Sequence, residues 1–335
     1  MTEPDSDAVA RIVRNAGLGA VRALVPLAGG KNNRVYRVEA ENGRAVLKSY
    51  FRHPDDPRDR LGAEWAFSRF AAGCGANRTP EPLSALPEAG LALYELLAGR
   101  RPTEADVTDD AVAQATDFVE ALNAARWRPL AVRLRVASEA CFSVAEHLGT
   151  VARRVDRLMN VADQAVAAFV REKLLPAWRE VRAAVGGAAS LGRPLEPTER
   201  CVSPSDFGFH NALIGTDSRV RFVDFEYAGW DDPAKLVCDF FCQPAVPVPE
   251  RHFEAFAHAV AAYFPQPPSV LARVRVLLPV YRLKWVCIRL NEFLPTDGGR
   301  RAFALPMEDS AARRDAQLDA ARAALRHLQV QGAAA

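Results

Sequence analysis

The sequence predicts an α+β fold in two lobes: a small N-terminal β-rich lobe with a helix, and a larger, mainly α-helical C-terminal lobe. Three observations carry that reading. The chain has 335 residues, 49% of them hydrophobic, enough for a substantial core shared between two bodies. Short alternating or continuously apolar runs at 34–38, 45–50 and 91–97 are strand signals. From 109 onward the apolar spacing becomes helical, at 111–122, 161–185, 270–294 and 311–328. The lobes are therefore expected at 1–97 and 98–335.

Taken in order, 7–18 places Val9, Ile12 and Val13 at helical spacing and ends at Gly17 and Gly19. A turn, Gly29-Gly30-Lys31-Asn32-Asn33, precedes the strand at 34–38, and Asn42-Gly43 is a turn before the strand that holds Lys48. The charged stretch 52–59 reads as a solvated connection, and 60–67 as an amphipathic helix carrying Glu64. The apolar run at 91–97 leads through Ala98-Gly99-Arg100 into a linker. Thr108 can cap the first long helix, and Pro129 and Gly149 punctuate the helical region that follows. Residues 186–197 form a loop, 311–328 a last amphipathic helix and 329–335 a frayed tail.

Net charge is +2, which gives no basic excess for nucleic acid or an anionic membrane. No apolar run approaches the ~20 residues that span a bilayer, and the acidic N-terminus has no apolar signal core. A cytoplasmic location is expected. The six cysteines are scattered, with Cys238 and Cys242 one helical turn apart, and read as buried free thiols.

The chemistry concentrates between 201 and 239. Asp206 precedes Asn211 by five residues, and Asp224 follows in Val223-Asp224-Phe225-Glu226. Two apolar runs, 212–214 and 220–223, flank the turn Gly215-Thr216-Asp217-Ser218 and read as a hairpin. A hairpin sets Asn211 at its entrance beside Asp224 at its exit. An amide oxygen and a carboxylate converging there make a hard oxygen site suited to Mg²⁺. Asp206 would then stand close enough to orient or deprotonate an attacking hydroxyl, the layout of kinase-type phosphoryl transfer.

With Lys48 and Glu64 upstream in the same order, this arrangement resembles the aminoglycoside phosphotransferase and choline kinase superfamily, from about Leu27 to Asp239. The resemblance implies a two-lobed protein-kinase-like fold and a small-molecule kinase. It implies that Gly29, Gly30, Asn32 and Asn33 cover the phosphates of ATP and that Lys48 grips them, held by Glu64. Backbone groups from Glu95 to Leu97 would pair with the adenine edge, with GTP also open. Asp206 would be the catalytic base or orienter, and Asn211 and Asp224 the Mg²⁺ ligands, with Glu226 beside a second ion. Asp239, after Trp230-Asp231-Asp232-Pro233, would brace the catalytic loop.

Tyr281, Trp285, Arg289 and Glu292 share a helix face, read either as interlobe packing or as an acceptor pocket to which Trp230 and His210 could add. Arg282, Lys284 and Arg289 favour a neutral or anionic acceptor over a polycation, while the aromatics leave choline open. One departure stands out: the family usually has His-Gly before the catalytic Asp, and this chain has Pro204-Ser205. A nucleotide-sensing module without turnover is therefore the alternative to a kinase acting on a sugar, aminosugar or related alcohol. The oligomeric state is left open.

Overall fold

A computed structural model describes residues 4–27, 33–52, 56, 58–187, 193–294 and 310–333. They form a two-lobed α+β fold, with an N-terminal β-sheet lobe and a C-terminal helical lobe. The chain packs as two compact units. The first draws on Met1–Ser138 and Val202–Trp230; the second draws on Glu139–Cys201, Asp231–Gly299 and the C-terminal helix.

In the first unit, helix α1 (Ser6–Asn15) is followed by strands β1 (Val21–Leu27), β2 (Arg34–Ala40) and β3 (Gly43–Ser49), then helix α2 (Arg60–Gly73). Strands β4 (Pro82–Leu86) and β5 (Leu91–Glu95) complete an antiparallel sheet in the order β1-β2-β3-β5-β4. The three central strands are those legible from alternation. The two that the pattern does not announce, β1 and β4, are the edges, and both carry proline, at 26 and 82. A proline lacks the N–H that a central strand must donate, so the edges are where it is tolerated.

Helix α3 (Asp109–Asn123) is capped as expected, the Thr108 hydroxyl accepting from the Ala111 N–H at 3.2 Å. Pro129 opens the short helix α4 (Arg128–Ala131). Strand β6 (Cys201–Ser203) pairs with β9 (Gly229–Asp231), and β7 (Ala212–Ile214) with β8 (Val220–Phe222). The hairpin expected from sequence is thus present, with Ala212 opposite Phe222. A backbone bridge from Arg100 to Ile214 fixes it. The adjacent Gly99 has no room for a side chain there, because a Cβ would lie 2.8 Å from the Ile214 carbonyl.

Aromatic packing ties these pieces together. Phe118 of α3 stacks on Phe222 at 5.0 Å and lies 5.8 Å from Phe207 and 6.3 Å from Phe225, while Phe67 of α2 packs on Phe225 at 4.6 Å. Phe207 directly follows Asp206 and Phe225 directly follows Asp224, so each acid is the neighbour of a residue anchored in the core.

The second unit is helical: α5 (Val144–Met159), α6 (Gln164–Phe169), α7 (Leu175–Gly186), α8 (Pro233–Cys242), α9 (Phe253–Ala261), α10 (Pro267–Arg289) and α11 (Ser310–Ala333). Gly149, read as a break, lies inside α5. Val144, Val151, Val155 and Leu158 are buried along that helix, and their burial outweighs the ~1 kcal/mol that an internal glycine costs. The periodic stretch 161–185 contains a π-helical turn, Val170–Leu174, just before Pro176. Proline has no N–H to return to the preceding turn, and the wider turn absorbs the mismatch.

Carboxylates on α8 and just before it pin these helices. Asp232 caps α8 through the Ala234 N–H at 2.8 Å and accepts from His147 Nε2 at 3.0 Å and Arg273 Nε at 3.1 Å. Asp239 accepts from Lys284 Nζ and Trp285 Nε1, each at 2.9 Å. The brace expected of Asp239 is therefore directed at α10. The six cysteines are free, five of them buried, and no described helix is long and apolar enough to cross a membrane.

Two outcomes follow. Phe118→Ala should lower the unfolding free energy by about 3–5 kcal/mol in urea titrations, because a ring buried on every side leaves a cavity. Burial pushes the His147 imidazole down, but the Asp232 carboxylate outweighs it and raises its pKa to about 9. A histidine raised in the folded state stabilises fully below its unfolded pKa of 6.5 and loses that contribution as pH climbs through 9. Stability should fall between pH 7 and 10 by on the order of 3 kcal/mol, and His147→Gln should flatten that fall.

Candidate functional site

All the polar groups of the candidate centre come from the first unit. Lys48 sits on β3, paired in register with Val35 and Ala92, so its side chain stands on one face of the sheet. It reaches Glu64 Oε1 at 2.6 Å and Asp224 Oδ1 at 2.9 Å. Glu64 projects from α2 and is 1% exposed; its other oxygen accepts from the Tyr50 hydroxyl at 2.8 Å, which in turn meets the Tyr94 hydroxyl at 2.9 Å. Burial alone would drive a proton off Lys48, yet the Asp224 and Glu64 carboxylates raise its pKa above the ordinary lysine range. The ammonium stays charged. Desolvation pushes the Tyr50 and Tyr94 phenols well up, so both remain neutral donors.

Asp206 lies on a tight turn in which the Phe207 N–H meets the Ser205 carbonyl at 2.6 Å. Ser205 has φ 68°, the left-handed region that L-residues with a Cβ enter at a cost of about 1–2 kcal/mol. Its N–H is met by Ser203 Oγ at 3.0 Å. The strand before it is clamped by Asn123, whose amide both donates to the Val202 carbonyl at 3.0 Å and accepts from the Val202 N–H at 2.8 Å. His210 Nε2 lies 3.1 Å from Asp206 Oδ1. Asn211 Nδ2 donates to the Asp206 carbonyl at 2.9 Å, with Asp206 Oδ2 at 3.3 Å, so the amide oxygen is the end directed away from Asp206.

The backbone closes the constellation. The Val223 N–H donates to the Asn211 carbonyl at 2.9 Å, which sets Asp224 beside the hairpin entrance. Asp224 also has a left-handed φ, 70°. Glu226, 1% exposed, accepts from Asn33 Nδ2 at 2.7 Å and lies 3.4 Å from Arg60 Nε. Burial first, and then the Asp224 charge, raise its pKa to about 7.

Lys48, Glu64 and Asp224 form one contact group and Asp206, Asn211 and His210 another, and the Val223–Asn211 backbone bond joins the two. Asn33 is 4% exposed and holds Glu226 and the Phe51 N–H; Gly29, Gly30 and Asn32 lie outside the described residues. The Glu95 N–H is already bonded to the Glu81 carbonyl at 2.8 Å, whereas Leu97 lies two residues beyond the end of β5. Trp230 donates its indole N–H to the Ala131 carbonyl at 3.0 Å.

Among the second-unit candidates, Tyr281 is buried with its hydroxyl 2.7 Å from His147 Nδ1, and Trp285 bonds Asp239. Glu292 is buried and ion-paired with Arg313. Trp285 and Arg289 line a cavity of their own unit.

Sequence reasoning missed Arg60, Tyr50 and Asn123. Arg60 is 2% exposed and pairs with Asp56 at 2.6 Å as well as approaching Glu226. Its signal was there: Arg60 and Glu64 are four residues apart on one helix face, so an acid buried at 64 puts 60 in the same buried row. The pairing of Tyr50 with Glu64 crosses elements and has no local signature. The left-handed serine offers a check: Ser205→Gly should raise the unfolding free energy by about 1 kcal/mol in chemical denaturation, since glycine enters that region freely.

Solved structures align over nearly the whole chain. A choline/ethanolamine kinase family protein from Mesorhizobium loti aligns with TM-score 0.59 at 20% identity, over 96% of this chain and 97% of that one. A spectinomycin phosphotransferase in complex with ADP and spectinomycin aligns with TM-score 0.60 at 12% identity, over 94% and 99%. A macrolide 2'-phosphotransferase from Brachybacterium faecium aligns with TM-score 0.53 at 19% identity, over 96% and 98%. At these identities the likeness establishes the protein-kinase-like small-molecule kinase fold. No curated protein matches the sequence. The profile described as "Phosphotransferase enzyme family" matches residues 23–277, and the chain belongs to that family.

Proposed function

We propose that the protein is an ATP-dependent, Mg²⁺-requiring kinase that phosphorylates a hydroxyl of a small metabolite such as a sugar, aminosugar or related alcohol. The observation that carries this is the lysine shared by two carboxylates, Glu64 at 2.6 Å and Asp224 at 2.9 Å, in the same unit as the Asp206–Asn211 turn. Lys48 grips the nucleotide phosphates and Glu64 keeps its ammonium in place. The backbone beyond Glu95, toward Leu97, meets the base.

Asn211 and Asp224 are the protein's ligands for Mg²⁺. The donor set supports this: one neutral amide oxygen turned away from Asp206 and one carboxylate are hard oxygens. Mg²⁺ dehydrates reluctantly, so with two protein ligands it takes its remaining ones from phosphates and water. When bound, Mg²⁺ supplies charge neutralisation on the phosphates.

Asp206 receives the proton of the acceptor hydroxyl as its oxygen bonds to the γ-phosphorus, and the bond to the β-phosphate oxygen breaks to release ADP. His210, in contact with Asp206, fixes the carboxylate's orientation. Positioning supplies the rate enhancement, so the buried Lys48–Glu64–Tyr50 chain matters as much as the base.

The test is ³¹P NMR of Mg-ATP with a panel of sugars, aminosugars, sugar phosphates, choline and aminoglycosides. A phosphomonoester should form with one acceptor class. Asp206→Asn should cut its rate by about 100-fold or more while Mg-ATP still binds. Nucleotide binding without any product would favour a nucleotide-sensing module, a reading supported by Pro204-Ser205 where the family usually has His-Gly. Absence of nucleotide binding would overturn both.

A further inference from the structure

A cavity of about 600 Å³ opens within the second unit, lined from the end of α8, the 243–250 segment and helices α9, α10 and α11. Its walls are apolar and aromatic: Phe241, Val248, Phe253, Leu278 and Trp285, with Ala324 of α11. That is the size and lining of a small-molecule site rather than a packing defect.

The charged side chains on its lining are Arg282, Glu250, Glu254, His327 and Arg289. Arg282 is paired with Glu250 at 3.0 Å, and His327 lies 3.8 Å from the same carboxylate. Glu254 faces Arg275 at 3.3 Å and His258 at 3.9 Å. Arg289 is different. It is half-buried, and no hydrogen bond or ion pair joins its side chain to another described residue. Burial pulls its guanidinium below the ordinary arginine range with no carboxylate opposing. As the last residue of α10, it could be thought to serve only the helix dipole. An exposed cation would do that without desolvation, and the gain is a few tenths of a kcal/mol to about 1 kcal/mol.

We propose that this cavity binds an organic anion whose aromatic or branched apolar body fills the Phe241, Leu278 and Trp285 walls and whose carboxylate or phosphate is held by Arg289. A guanidinium presents a planar fork of donors that matches either group. The apolar walls supply affinity through burial, and the unpaired cation supplies selection for charge. Neither Lys284 nor Arg282 competes for the ligand, because Asp239 and Glu250 already hold them. The assignment rests on this unit alone and stands whether or not the chain is a kinase.

Isothermal titration of the full chain with three probes of one ring system tests it: 1-naphthoate, 1-naphthyl phosphate and the neutral 1-naphthalenemethanol. At least one of the two anions should bind saturably at one site, about tenfold or more tighter than the alcohol, and the two anions tell carboxylate from phosphate recognition. Arg289→Gln should erase the preference for the anion while leaving the alcohol's affinity in place. Ala324→Trp, which fills the cavity from α11, should abolish binding of all three. Thermal melts of both variants near that of the unsubstituted chain would show them folded. Asp206→Asn should bind the probes as the unsubstituted chain does, which separates this site from the phosphoryl-transfer reading. An alcohol as tight as both anions, an anion preference that survives Arg289→Gln, binding that survives Ala324→Trp, or no saturable binding would each overturn the proposal.

Discussion

The candidate centre depends on one buried cation. Lys48 is 8% exposed, and its ammonium is retained inside the fold only because Glu64 and Asp224 lie on it. A buried charge without partners would cost several kcal/mol or lose its proton. The three residues come from β3, α2 and the segment after β8, so the requirement to neutralise one ammonium fixes three elements at once. Tyr50 and Tyr94 extend the same demand, since a carboxylate with one oxygen on Lys48 still needs a donor for the other. Replacing any member leaves a buried group unmatched, and the loss is larger than the net worth of the bond removed.

The second constraint is backbone conformation. Ser205 and Asp224 both occupy the left-handed region, one just before the candidate base and the other at the lysine's partner. Such strain persists only where the surroundings over-determine it. Here Phe207 and Phe225, each next to an acid of the centre, are locked into the ring cluster around Phe118 and Phe222. The core therefore holds the acids in place through their neighbours. An aspartate tolerates the left-handed region better than most residues, and the Ser203 hydroxyl offsets part of the cost at Ser205 by meeting its N–H.

Much of this was legible in the sequence because it is written in order and spacing. Lys48 in a strand, Glu64 in the next helix, Asp206 five before Asn211, and Asp224 at the hairpin exit are all local patterns. The structure brings Lys48, Glu64 and Asp224 together and ties Asp206 to Asn211, with one backbone bond between the two groups. What was not legible belongs to contacts between elements far apart in the chain. Asn33 reads locally as a turn residue, but it faces Glu226, 193 residues away. Asp239 reads as a brace for the loop before it, but its partners lie 45 and 46 residues on, in α10. Gly149 carries a turn propensity that the buried stripe of α5 overrides. Strands β1 and β4 escaped because proline removes the signal that alternation provides.

Those two strands have a further effect. An exposed sheet margin is a template on which another chain can pair, and proteins that leave it long, flat and regular tend to stack into aggregates. Here each margin combines a proline with a break in register, between Val21 and Ala23 on one side and between Pro82 and Ser84 on the other. The missing donor interrupts any incoming ladder, and the break twists the strand away from the plane that a partner would need. The same residues that hid the margins from a reading of the sequence also guard the sheet against self-association.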